Sequence, residues 1–135
     1  MKTFIILPVA LILVLSGCHI IVEDIYTPAN RLAGSYEVDE WSETLGAQVY
    51  FDIFIHTDRY SADIIYITNF YNAGIEVFAE VNGSKIRIPL QNAGPYEIEG
   101  LGAYYNGELT IDYSVRDLYS PSGFTDYCNA ICFKY

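Results

Sequence analysis

From Gly34 onward, apolar and polar residues alternate in short runs that turn residues interrupt at regular spacing. Alternation with a period of two places every second side chain on one face of a β-strand. The pattern predicts eight strands. The first spans about Ser35–Ser42, with Tyr36 and Val38 on one face, and the second about Gln48–His56, with Val49, Phe51, Ile53 and Ile55 together. The third, about Ser61–Phe70, is apolar on both faces in its middle, and Asn72-Ala73-Gly74 turns the chain after it. In the fourth, Ile75, Val77, Ala79 and Val81 alternate with Glu76, Phe78, Glu80 and Asn82. Asn82-Gly83 is a strong hairpin signal, because both residue types tolerate positive φ. Ile86, Ile88 and Leu90 then point inward on the fifth strand, Lys85 and Arg87 outward, and Pro89 sits at its end, where a missing donor is tolerated. A hairpin here lets Glu80 pair with Lys85 or Arg87.

The sixth strand, about Tyr96–Leu101, alternates with Glu97 and Glu99, after which Gly100, Gly102 and Gly107 break the pattern around Tyr104-Tyr105. Leu109, Ile111, Tyr113 and Val115 share a face of the seventh strand, about Glu108–Arg116. Tyr119–Gly123 is a loop, and the eighth strand runs from about Thr125 to Lys134. After residue 22 no 3.6-residue apolar period persists for three turns, so no long helix is expected, although a short one in the tether or a loop is allowed. Eight antiparallel strands with one apolar face predict an all-β fold closed into a barrel, since closure removes exposed edges. A β-sandwich is the alternative.

Upstream the pattern changes. Phe4–Leu15 is an apolar run of twelve residues broken only by Pro8, with Lys2 before it. A helix needs ~20 apolar residues to cross ~30 Å of hydrocarbon, so the run has the length of a signal-peptide core. Leu15-Ser16-Gly17-Cys18 follows and resembles the lipobox of bacterial lipoproteins. That resemblance implies cleavage after residue 17, a diacylglyceryl group on Cys18, and attachment to a membrane through the N-terminal lipid. More than one acyl chain makes such anchoring durable. The absence of Asp at position 19, where His19 stands, points to the outer membrane; Glu23-Asp24 is a weak candidate for a surface-export signal or a piece of linker. The expected organisation is a signal peptide at 1–17, a lipidated N-terminus and tether at 18–33, and a β-barrel domain at 34–135.

Cleavage leaves 118 residues, enough for one domain with a real core. All seventeen acidic residues lie beyond Cys18 and six basic residues remain, a formal charge of −11. This repels phosphate backbones, so nucleic acid is not an expected partner. It also gives no help with anionic head groups. A cationic protein would be attracted, although solubility alone explains an acidic surface. Thirteen tyrosines and seven phenylalanines fit strand propensity first and binding second.

The wider pattern Gly34-x-Tyr36, Ile67-x-Asn69-Phe70, Val77-x-Ala79-x-Val81-Asn82-Gly83, Ile86-x-Ile88-Pro89-x-Gln91, Ile98-x-Gly100-x-Gly102 and Leu109-x-Ile111-x-Tyr113 resembles small bacterial lipoproteins with a calycin-like, lipocalin-like β-barrel. Gly34-Ser35-Tyr36 stands where lipocalins carry Gly-x-Trp. The resemblance implies the fold and assigns no catalytic or ligand-contacting residue.

Candidate chemistry is sparse. No nucleophile elbow, P-loop, dinucleotide fingerprint or calcium loop is present, so neither an enzyme nor a cofactor is expected. Cys128, Cys132 and His56 would make a metal site only through an unproven fold contact. A straight strand separates Cys128 from Cys132 by ~13 Å, beyond disulfide reach; a bridge between them needs a turn, bulge or helix, and two free thiols on one strand face is the alternative. Glu97 and Glu99, ~6.6 Å apart on one face, read better as an acidic stripe than as a glycosidase pair. Trp41, among Asp39, Glu40, Ser42 and Glu43, either contacts a sugar or cation or plugs one end of the barrel. Of Tyr104 and Tyr105, one faces the core and the other solvent or a mouth.

These features predict a lipid-anchored envelope binding protein holding a small apolar or amphipathic ligand in its barrel. The alternatives are a protein-binding module, such as an inhibitor of a cationic enzyme, and a structural accessory of an envelope complex. Barrel-type lysozyme inhibitors carry Ser-Gly-x-x-Tyr, and Ser122-Gly123-Phe124-Thr125-Asp126-Tyr127 has one residue too many. Cavity volume discriminates: a large void favours a ligand, and a filled barrel with an acidic, aromatic-tipped face favours a protein.

Overall fold

A computed structural model describes residues 27–135; the expected signal peptide, Cys18 and most of the expected tether lie outside them. Eight strands follow one short helix: α1 (Pro28–Leu32), β1 (Gly34–Ser42), β2 (Ala47–Thr57), β3 (Ile64–Phe70), β4 (Ile75–Asn82), β5 (Lys85–Ala93), β6 (Tyr96–Tyr105), β7 (Glu108–Asp117) and β8 (Thr125–Lys134). Each strand pairs antiparallel with its sequence neighbour, and β8 returns to β1 from Tyr36↔Lys134 to Ser42↔Cys128, closing the barrel. The closed, eight-stranded antiparallel barrel is therefore present, and the sandwich is not. Its form is compatible with a calycin-like fold.

The period-two pattern explains the core. Tyr36, Val38, Ile53, Ile55, Ile65, Ile67, Val77, Ala79, Val81, Ile86, Ile88, Ile98, Leu109, Ile111 and Val115 all point inward and are almost fully enclosed. Val49 keeps the expected face, opposite Glu40, but lies near the turn of the β1–β2 hairpin and is exposed.

Two hairpins differ from expectation by their turn chemistry. Asn82 pairs with Lys85, so the β4–β5 loop is Gly83-Ser84, one residue later than predicted. Only Gly83 has positive φ there (+61°), as a turn with glycine in the first central position requires. This register sets Glu80 opposite Arg87, whose Nη1 lies 3.1 Å from the carboxylate. The Asn-Gly turn of the type anticipated at residues 82–83 occurs instead at Asn106-Gly107, where both φ are positive (+49° and +83°) and Tyr105 pairs with Glu108. What looked like glycine interruptions is thus a continuous β6 followed by a tight hairpin. β5 also runs past Pro89, which sits at a register irregularity between Ile88 and Gln91 where no ladder donor is needed.

Residues 28–33 are not tether. Thr27 caps α1 through its hydroxyl, accepting from the Asn30 amide at 3.3 Å, and Pro28 opens the helix. Ala29 and Leu32 are buried against the barrel, and Tyr36 donates its hydroxyl to the Leu32 carbonyl at 2.8 Å. Arg31 donates to the Gly83 carbonyl at 2.9 Å, and Lys134 Nζ to the Arg31 carbonyl at 3.0 Å. α1 therefore closes one pole of the barrel, and the folded unit extends upstream of Gly34, at least to Thr27.

Candidate functional site

The barrel interior is filled by its own side chains. The void left among Val38, Phe51, Ile53, Phe70, Ile111 and Ala130 measures about 10 Å³, barely room for one water. Drug-sized ligands need a few hundred Å³, so no apolar ligand enters without displacing core residues.

Away from α1 the interior becomes polar. Glu40 and Asp126 occupy inward positions on β1 and β8 and are 4% and 1% exposed. Tyr113 donates its hydroxyl to Glu40, and Ser42 donates to one oxygen of Asp126. Tyr71 donates to the other oxygen at 2.7 Å. Tyr71 reaches inward from a backbone with φ of +57°, a conformation that costs a bulky residue free energy and persists only where surrounding contacts impose it. Burial pushes the Glu40 carboxyl up; the Tyr113 hydrogen bond pulls it down, and the nearby Asp126 charge pushes it up again. Burial likewise pushes the hydroxyls of Tyr71 and Tyr113 far up, reinforced by the carboxylates they meet. Every buried polar side-chain atom among the described residues has a partner.

Cys128 and Cys132 are free thiols on the inner face of β8, with Ala130 between them. The strand runs straight through Asn129-Ala130-Ile131, so the two stay too far apart to bridge. Burial raises both thiols, Cys132 to about 12, which leaves them protonated and unreactive. Among the described residues no group of His, Cys, Asp and Glu is arranged to hold a metal; His56 stands on the outer face of β2 at 3.1 Å from Glu76.

The outer surface carries the concavity. Two adjoining hollows of about 690 and 510 Å³ run along the outside of β5–β8 and share Arg87, Leu101 and Asp112. Their cause lies under β6. Gly100 and Gly102 occupy inward positions, and a Cβ on either would stand 2.6–2.8 Å from Thr110 O, Ile86, Asp112 O or Tyr113. Lacking those side chains, β6 lies close against its neighbours' inner side chains, and the surface above it forms a furrow. Leu90 and Leu101 are exposed there, with Tyr127 at one end. Acidic residues Glu43, Glu80, Glu99 and Asp112 line it together with the basic Lys85 and Arg87, the latter paired with Glu80.

Trp41 does not plug the barrel. It points outward from β1, half exposed, between Gln48 and Asn129. Tyr104 packs against the core and Tyr105 is exposed beside the Asn106-Gly107 turn. Neither lines the furrow. The furrow is invisible to alternation, which assigns faces but not curvature; its one sequence signal is two glycines at inward positions of a strand.

No protein family, curated protein or solved structure matches this chain.

Proposed function

We propose that this protein is a binding module of the bacterial envelope, anchored by a lipid on Cys18 and without catalytic activity. It takes a cationic protein partner on its outer furrow. The filled interior carries this reading, because it leaves the furrow as the large concave surface. The furrow combines exposed apolar side chains with four acidic residues against Lys85 and Arg87, the latter held by Glu80, a balance that a basic, partly apolar protein segment complements. Glu40 and Asp126 do not line it and are held by hydroxyl donors, which supports a structural role for them. The lipobox resemblance and the signal-like segment before it support the anchor and an outer-membrane location.

A photo-reactive amino acid placed at Leu101 in the bacterium tests the reading, with Phe54 on the distant β2 as control. A discrete adduct at Leu101, absent at Phe54 and containing a basic protein, is the expected result. Adducts common to both positions, an acidic partner, or no adduct would overturn it. A small-molecule mass retained on the native protein and lost on denaturation would restore the interior-ligand reading.

A further inference from the structure

The geometry points to the outer face of β8, β1 and β2 as a surface that takes arginine side chains of a basic protein segment, with Trp41 at its centre. This rests on the reading of the furrow as the site of a cationic partner and carries that interface across β8, because Tyr127 and Asp112 border both surfaces. Trp41 is the single tryptophan and is 47% exposed. Its cross-strand neighbours are Gln48 on β2 and Asn129 on β8. Tyr50 and Tyr127, 70% and 57% exposed, stand one outward position further on those strands, on opposite sides of it. Diagonal neighbours on one sheet face lie ~7–8 Å apart, so three aromatic side chains run obliquely across three strands. Phe54 lies four residues beyond Tyr50, ~13 Å along the strand, and is outside this row.

Hydrogen bonds fix what surrounds the indole. Gln48 Nε2 donates to Asp39 at 2.7 Å, and Asn129 Nδ2 donates to Asp112. Each amide turns its NH2 group to a carboxylate, which leaves its carbonyl oxygen as an acceptor. The rim of Trp41 is therefore rich in acceptors and negatively charged. On the outward positions of β7, β8, β1 and β2, together with the β1–β2 turn, the acidic residues are Glu37, Asp39, Glu43, Asp52, Glu108 and Asp112. Their basic counterparts are Arg116, held by Glu97 at 2.8 Å, and His56, at 3.1 Å from Glu76. Lys85 and Arg87 of the furrow are on β5, two strands beyond β7.

This combination selects a guanidinium. Its flat, weakly hydrated surface stacks on an aromatic ring and is attracted by the ring's negative face. Its fork of N–H groups is then met by carboxylates beside the ring. An ammonium is compact and strongly hydrated and gains less from a ring. A neutral sugar would stack on the same indole but draw nothing from the excess of charge.

The full chain, purified from bacterial membranes, is titrated with a short Arg-Gly repeat peptide. Trp41 fluorescence reads this face directly, because the chain has no other tryptophan. A saturable change is expected, lost when citrulline replaces arginine and weakened when lysine does. A cation over an exposed ring strengthens binding about 2–5-fold, so Trp41→Leu is expected to weaken a fluorescein-labelled peptide by that factor in anisotropy titrations. Asp39→Asn/Asp112→Asn removes two surface charges and is expected to weaken it about 2–25-fold. Unfolding by urea checks that each variant remains folded. Equal response to the arginine and citrulline peptides, unchanged binding by Trp41→Leu, or a response to neutral chito-oligosaccharide in place of the arginine peptide overturns the proposal. A photo-reactive amino acid at Tyr50 in the bacterium separates this inference from the furrow. The adduct expected at Leu101 should form at Tyr50 as well. An adduct at Leu101 alone overturns this inference and leaves the furrow reading intact. An adduct with a basic protein at Tyr50 alone overturns the furrow and supports this face, and none at either position overturns both.

Discussion

Gly102→Ala puts the cause of the furrow to a quantitative test. The new methyl would stand 2.6 Å from the Thr110 carbonyl oxygen and 2.8 and 3.1 Å from Cγ1 and Cδ1 of Ile86. Restoring ordinary contact at 3.4 Å asks for a movement of about 0.8 Å. Neither neighbour yields freely: Thr110 O belongs to the β7 backbone, and Ile86 is 2% exposed. Overpacking of this kind costs about 1–3 kcal/mol. Alanine returns about 0.4–1 kcal/mol by restricting the unfolded chain. The net loss is about 0–2.6 kcal/mol, centred near ~1.3 kcal/mol, which is roughly 5–10 °C in Tm for a domain of this size. Urea unfolding followed by Trp41 fluorescence and far-ultraviolet circular dichroism measures it. Adding Ile86→Val removes one of the two clashes and should recover part of the loss, whereas the carbonyl contact remains. A stabilising Gly102→Ala would refute the close packing of β6 against its neighbours.

Two further outcomes follow from the interior. Glu40 has its proton affinity raised in the folded state, so folding binds a proton that the unfolded chain releases near pH 4.3. Its contribution is fully present below that value and is lost as pH rises through the higher folded value; Glu40→Gln should therefore flatten the fall in stability on raising the pH across that window, and an unchanged urea-midpoint profile would show that Glu40 does not titrate there. Cys128 and Cys132 should resist maleimides in the native protein and react after denaturation, giving two thiols if Cys18 carries lipid and three if it does not; fast native labelling would contradict their burial.

The strands were legible because one face of each is buried, which forces period-two alternation on β1, β4, β5 and β7. Where the backbone bends, the signal weakened. Asn106-Gly107 was masked by Gly100 and Gly102 nearby, so a hairpin read as disorder in the pattern. Thr27-Pro28 carried a helix-start signal, but five residues are too few for an apolar period to show. Glu40 and Asp126 follow the inward period of their strands, Tyr36-Val38-Glu40-Ser42 and Asp126-Cys128-Ala130-Cys132; chemistry argued for solvent and geometry for the core, and geometry prevailed because Tyr113, Ser42 and Tyr71 supply donors. Those donors come from elements distant in sequence, which no local pattern reveals. The furrow likewise depends on how strands curve together.

Closure by β8 onto β1 also decides how the molecule behaves in company. Every strand has both neighbours, so none is a sheet edge along its whole length, although ladder pairing stops short at Ala47–Ile53 of β2 on the β3 side and at Ile75–Ala79 of β4 on the β5 side. Recognition by adding a strand is confined to those short stretches, and elsewhere on the described barrel a partner is read by side chains. The same closure limits self-association: copies that meet offer one another only those short openings as a template for sheet-to-sheet growth.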